Sequence, residues 1–170
     1  YGGAGLDYSY SVVMAEALGN TRCGGVPMAI GVQTDMATPA LARFGSDDLR
    51  KEFLAPAIAG DMVACVGVSE PGAGSDVAGL RTSARKDGGD YVVNGEKWFS
   101  TGADGAAFSI VMAVTNPESR TYDKMSLFIV PAETPGIEIV RNVGVGLGRS
   151  ASSASSKRLH NEKPSSKKSR

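Results

Sequence analysis

The sequence predicts an α+β chain, with an N-terminal helical segment, then an antiparallel β-barrel or sandwich-like domain, then a disordered basic tail. Three observations carry this. Up to about residue 60, apolar residues recur at helical spacing between Gly-containing stops. After Gly60 the chain turns to short β-rich stretches separated by turn signals. From Arg149 onward Ser, Lys and Arg take over. The predicted parts are therefore 1–60, 61–148 and 149–170.

The first predicted helix covers Asp7 to Leu18, with Val12, Val13, Ala15 and Leu18 on its apolar face and Gly19-Asn20 as its stop. A second runs from Val26 to Phe44 between Gly24-Gly25 and Gly45, and Pro39 kinks or splits it. A third starts at Ser46, a good N-cap, with Asp47 and Asp48 favourably placed in its first turn. Leu49 and Phe53 fall four apart on one side of it, and Pro56 and Gly60 mark its end.

The predicted strands are Met62 to Val68, Leu80 to Arg85, Tyr91 to Val93, Lys97 to Thr101, Phe108 to Val114, Met125 to Val130 and Ile137 to Val140. Asp87-Gly88-Gly89 and Asn94-Gly95 read as hairpin turns. Six or seven antiparallel strands follow from this spacing.

In the tail, RSASSASSKRLHNEKPSSKKSR, Leu159 is the sole large aliphatic residue, too little to repay the entropy of ordering. The zero formal charge of the chain hides an asymmetry. The tail holds seven basic residues and one acid, so residues 1–148 carry a net charge of −6. Basic residues without interleaved aromatics do not make a nucleic-acid surface, and a solvated tail is the expectation.

At 42% hydrophobic and 21% charged, the chain can build a core, and no apolar run reaches the length of a membrane span. No signal peptide is visible at Tyr1-Gly2-Gly3. Cys23 and Cys65 lack metal-ligand spacing and read as two buried thiols. His160 is the only histidine, which argues against a Ser-His-Asp hydrolase and against most zinc sites. No metal site is predicted.

The chemistry centres on Val66-Gly67-Val68-Ser69-Glu70-Pro71-Gly72-Ala73-Gly74-Ser75-Asp76. Gly72 and Gly74 permit conformations and close approach that a Cβ blocks, and such a loop can present successive N–H groups to an anion. A bare GxG is more often a plain connection. Two rival motifs fail on identifiable residues. The dinucleotide fingerprint needs a third glycine where Val77 stands, and Leu80-Arg81 replace the Lys and hydroxyl of a P-loop.

Two segments are more specific. VGVSEPGAGSDVAGLRT resembles the flavin-site signature of the acyl-CoA dehydrogenase family, and YVVNGEKWFSTGA resembles that family's second flavin-contacting strand. LARFGSDDLRKEFLAPAIAGD upstream is also similar. Together the likeness spans about Tyr1 to Gly148. It implies α,β-dehydrogenation of an acyl-CoA thioester, with FAD as hydride acceptor.

Residue by residue, the resemblance implies the following. Val68 and Ser69 present backbone N–H groups, with the Ser69 hydroxyl, to the pyrimidine edge of the flavin, where reduction places negative charge. Val66 stands where relatives often have an aromatic residue, which implies a wider pocket beside the flavin. Gly74 and Ser75 match the loop near cofactor and CoA groups, and Ser75 is the candidate substrate contact. Phe99 lies against the flavin ring, followed by Ser100, and the Thr101 hydroxyl approaches N5. Trp98 reads equally well as a flavin contact or as an aromatic on the opposite strand face. Glu70 reads as part of a structural polar network rather than a base, and Asp76 as a loop-closing acceptor.

The family's catalytic base is a Glu on a C-terminal helical domain, so no catalytic residue is assigned in this chain. The resemblance implies a truncated copy that is poorly active alone. It also implies an electron-transfer flavoprotein as partner, a homo-oligomer in the full-length form, and residence in the mitochondrial matrix of a eukaryote or the cytoplasm of a bacterium. The alternatives are a non-catalytic fragment that associates with full-length subunits, and a related flavoenzyme such as an acyl-CoA oxidase or nitroalkane oxidase.

Overall fold

The structure, a computed structural model, describes residues 1–121, 123–144 and 153–159. Helix α1 is Tyr8–Leu18, capped by Asp7, whose carboxylate accepts the Ser9 N–H. The next helical rod comprises α2 (Gly25–Gly31), a π-helical segment Val32–Ala37, and α3 (Thr38–Phe44). A second rod comprises α4 (Asp47–Leu49), a π-helical segment Arg50–Leu54, and α5 (Ala55–Ala59). Ser46 caps it as expected, accepting the Leu49 N–H.

Both π segments have the same cause. Each ends two residues before a proline, Pro39 or Pro56. A proline inside a helix lacks its N–H and crowds the carbonyl four residues back. Widening the turn just upstream relieves that crowding, and the five-residue bonds Thr38 N–H to Gln33 O and Ala55 N–H to Arg50 O mark it. Pro39 therefore widens the helix rather than splitting it.

Helix α1 departs from expectation, because none of its residues is buried and both Val12 and Val13 are exposed. Among the described residues no helix is long and apolar enough to cross a membrane.

The strands are β1 (Ala64–Gly67), β2 (Ser83–Asp87), β3 (Asp90–Thr101), β4 (Phe108–Val114), β5 (Met125–Pro131), β6 (Ile137–Gly144) and β7 (Ser153–Leu159). Helix-then-sheet order is as predicted. The sheet, however, is mixed and not closed, in the order β1-β4-β2-β3-β7-β6, with β5 also on β4. β1 lies parallel to β4, and β2 meets β4 at a single parallel bridge, Ser83 to Val114. The long excursion through β2 and β3 is the crossover that parallel pairing requires, and a turn-by-turn reading of neighbouring strands does not see it.

Two further expectations are corrected. Asn94-Gly95 is not a turn, since β3 runs straight through it. Gly88-Gly89 does form the predicted two-residue hairpin between β2 and β3, with Gly88 at φ 65°. The tail is not wholly outside the fold either. Ser153–Leu159 forms β7, paired antiparallel with β3 on one side and β6 on the other. Low apolar content argues against an independent core, but a strand inserted between two others satisfies its backbone groups on both edges. The remainder of the predicted disordered stretch, 149–152 and 160–170, lies outside the described residues.

Helices and sheet share one core. Ala37, Leu41, Leu54 and Ala57 pack with Ala64, Phe108 and Ile110, and the Phe53 ring meets Phe108 edge-on at 5.1 Å. Gln33 fastens the seam. Its Nε2 donates to Ala57 O and Met62 O, and its Oε1 accepts the Ala64 N–H at 2.8 Å. Of the two cysteines only Cys65 is buried, with its Sγ 3.0 Å from Ser109 Oγ, whereas Cys23 is exposed.

Candidate functional site

The site begins where β1 ends. Past Gly67 the chain leaves the sheet, and Glu70 and Ala73 close a tight turn by exchanging backbone hydrogen bonds of 2.9 and 3.1 Å. Asp76 then accepts the Ala78 N–H at 3.1 Å, closing the loop as the sequence suggests. Gly74 and Ser75 lie exposed on this loop. Neither Gly72 nor Gly74 adopts a positive φ, and a Cβ on either would meet nothing within 4 Å. The fold itself does not require these glycines; they leave open space along the rim of the loop.

The second predicted segment comes to the same place. β3 pairs with β7 except at a bulge between Lys97 and Ser100. Released from the ladder there, the Trp98 N–H donates to the Ser69 carbonyl at 2.8 Å. Phe99, next in the bulge, is the only described non-glycine residue with positive φ, at 56°, and the residue is 62% exposed. A large residue is held in a costly backbone conformation, mostly in the open. Trp98 meets that ring edge-on at 5.8 Å and is anchored by its Nε1 donating to Glu96. Beyond it Ser100 is buried, Thr101 is half-buried, and Gly102 at φ 76° turns the chain away.

The structure thus joins Val68, Ser69, Phe99, Ser100 and Thr101 along one seam and sets Gly74 and Ser75 on the neighbouring loop. Val66 goes elsewhere, packing against the helix–sheet core. Among the described residues neither the Val68 nor the Ser69 N–H has a protein acceptor. Two adjacent donors without partners beside an exposed aromatic ring suit a flat ligand with an electron-rich edge.

Beneath the seam lies a buried ion pair. Lys97 Nζ donates to Glu70 Oε1 at 2.7 Å and to the Val68 carbonyl at 2.9 Å, and both side chains are nearly inaccessible. Glu70 also accepts the backbone N–H groups of Arg81 at 2.7 Å and Thr82 at 3.0 Å. Burial pushes the Glu70 carboxyl up, but the bonds from Lys97 and the two backbone donors outweigh it and hold its pKa below the ordinary value. Burial lowers the pKa of Lys97, against the pull of Glu70. Glu70 is thus the polar-network residue the sequence suggested. Lys97 was missed. Its signal was a lone cation at an inward position of a strand, which calls for a buried carboxylate elsewhere.

The chain matches known proteins over most of its length. Residues 65–161 match the model of the acyl-CoA dehydrogenase middle domain, and residues 1–61 that of the acyl-CoA dehydrogenase N-terminal domain. The middle-domain match runs past Gly148, where the resemblance was expected to stop, and takes in β7. The chain is similar to the mitochondrial long-chain specific acyl-CoA dehydrogenase of Sus scrofa, at 37% identity over 76% of this chain and 30% of the relative. The mitochondrial short-chain specific enzyme of Rattus norvegicus is 34% identical over 81% of this chain and 33% of its own length. The crystal structure of a glutaryl-CoA dehydrogenase from Mycobacterium smegmatis in complex with FADH2 superposes with a TM-score of 0.81. It is 33% identical and covers 93% of this chain and 39% of that one. The chain spans about a third of the length of the curated relatives it matches. With both its helical and its sheet regions matched, the chain belongs to the acyl-CoA dehydrogenase family.

Proposed function

We propose that this chain forms the flavin-facing half of an acyl-CoA dehydrogenase site, acting in α,β-dehydrogenation of an acyl-CoA thioester. The observation that carries this is the Trp98–Ser69 backbone bond. It sets two unpartnered N–H groups beside the exposed Phe99 ring. FAD fits this donor set, and the open rim at Gly72 and Gly74 is room that a Cβ would take. When bound, FAD supplies the acceptor for a hydride from the β carbon of the substrate.

This chain's residues have the following proposed roles. The Val68 and Ser69 N–H groups and the Ser69 hydroxyl hold the ring edge where negative charge gathers on reduction. Phe99 would lie against the flavin ring, Ser100 would support the turn that follows, and the Thr101 hydroxyl would be the group that tunes hydride acceptance at N5. Gly74 and Ser75 border the cofactor and CoA, with Ser75 the substrate contact. Val66, packed against the helix–sheet core, is assigned no contact with the flavin. No residue of 1–170 is proposed as the base, because Glu70 is committed to Lys97 and two backbone donors. An electron-transfer flavoprotein is the proposed redox partner, and assembly with further copies is proposed for the complete protein. Its compartment is proposed to be the mitochondrial matrix in a eukaryote and the cytoplasm in a bacterium.

The test is titration of FAD with the purified chain, followed by flavin fluorescence and visible absorbance. Saturable binding that weakens in Phe99→Ala and Ser69→Ala is expected. No binding, or binding indifferent to both substitutions, would overturn the proposal. Addition of an acyl-CoA thioester to the FAD-loaded chain is expected to leave the flavin absorbance unbleached, since the base is not among these residues.

A further inference from the structure

The Val68 carbonyl and the Ser69 N–H belong to the same peptide unit, and Lys97 Nζ donates to that carbonyl at 2.9 Å. We propose that Lys97 is a positioning residue that makes the Ser69 N–H a stronger donor, by drawing electron density to the carbonyl at the other end of the same peptide bond. This rests on the flavin-site reading above.

The argument starts from the cost of the arrangement. Lys97 is 1% exposed, and a buried ammonium is expensive to hold where a methionine of similar volume could pack. Its charge needs a counter-ion, and Glu70 provides one at 2.7 Å. Glu70 is itself immobilised by the Arg81 and Thr82 N–H groups, so the ammonium is held from one side and aimed at the carbonyl on the other. Space for the lysine stem depends on Gly67, where a Cβ would sit 3.2 Å from Lys97 Cγ. The outcome is an ammonium that is anchored on Glu70 and whose second bond starts a short series from Lys97 through the Val68 carbonyl to the Ser69 N–H.

A peptide is a resonance hybrid, so a cation on its oxygen increases the positive character of its N–H. Hydrogen bonds in series strengthen one another, by roughly 10–30% per bond in a condensed phase. The Ser69 N–H is the end of this series and has no protein acceptor among the described residues. A donor strengthened in this way favours a ligand edge that gains negative charge over the same edge before it does.

The test uses the isotopically labelled full chain, with and without FAD. In the double variant Lys97→Met/Glu70→Gln both charges are removed together, while the Gln oxygen can still accept from one of the two N–H groups, Arg81 or Thr82, that bond separate oxygens of Glu70. The Ser69 amide proton is expected to move upfield without flavin present. The preference for reduced over oxidised FAD is expected to fall roughly two- to fivefold, the scale of a 30% change in a charge-assisted hydrogen bond. Lys97→Arg, which keeps the cation, is expected to restore both. An unchanged Ser69 amide in the folded double variant overturns the role of Lys97. Should that variant not fold, the wild-type chain decides, because an ordinary Val68 carbonyl carbon shift rather than a downfield one also overturns it. Failure of the wild-type chain to bind FAD would sink the flavin reading, a separate outcome from the amide shifts.

Discussion

Gly95 on β3 and Thr82, just before β2, approach so closely that a Cβ on the glycine would lie 2.3 Å from Thr82 Oγ1 and 2.7 Å from Thr82 Cα. One of these contacts is with backbone, which cannot swing aside. Gly95→Ala is therefore expected to destabilise the chain by about 1–3 kcal/mol, the scale of overpacking. Gly89→Ala is the control, because nothing lies within 4 Å of the added methyl. Urea unfolding of both variants checks this, and equal midpoints would refute it.

That same contact shows what the sequence could and could not reveal. Asn-Gly is a strong hairpin signal when the glycine is needed for positive φ. Gly95 is needed instead for close approach, a relationship with Thr82 that no local pattern records. The parallel β1–β4 pair and β7 escaped for the same reason, since both depend on partners distant in sequence. What was legible was local or carried by motif. The Ser46 cap, the Gly88-Gly89 hairpin, the helix-then-sheet order and the Asp76 loop closure all rest on neighbours within a few residues. Membership of the family was legible through the two motif segments. The Phe99 backbone conformation and the Lys97 bonds were not, because they arise at the bulge in the β3–β7 pairing and from Glu70 across the seam.

Gln33 is expected to be a larger stability determinant than an ordinary helix residue. Its amide bonds three backbone groups belonging to α5, the following loop and β1. Truncation in Gln33→Ala leaves those groups without it, at about 1–3 kcal/mol for each buried group left unsatisfied. The measured loss should exceed that of Thr34→Ala, whose hydroxyl bonds only within its own helix and to Asp35. A Gln33→Ala chain that unfolds at the same temperature as Thr34→Ala would contradict the clamp.

Acid stability should depend on Glu70. Its folded pKa lies below the unfolded value of 4.5, so its contribution is complete above that pH and is lost as pH falls through the folded value. Lys97 has the same sign, because its lowered pKa makes the unfolded chain bind more protons between the folded value and 10.5. Stability is thus expected to rise with pH on both flanks. Glu70→Gln should be less stable at neutral pH, since one partner of a buried pair is gone, at a cost of about 3–5 kcal/mol. It should also lose less than the wild type on acidification below 4.5. Thermal melts at a series of pH values measure this, and parallel curves for the two proteins would exclude the assignment.

Phe99 permits a separation of fold from function. At φ 56° a side chain costs about 1–3 kcal/mol that glycine does not incur. In most strand positions alanine is more stable than glycine by about 0.5–1 kcal/mol. Here the order is expected to invert, with Phe99→Gly more stable than Phe99→Ala. Phe99 as a residue is 62% exposed and contributes little burial, so neither variant should approach the loss seen on truncating a core aromatic. Both, however, remove the face proposed to lie on the flavin, and FAD affinity should fall in both. Denaturant midpoints and FAD titrations on the same pair of proteins resolve the two effects. If alanine proves the more stable, the backbone at Phe99 is not strained, and the bulge must be held in place by something other than its ring.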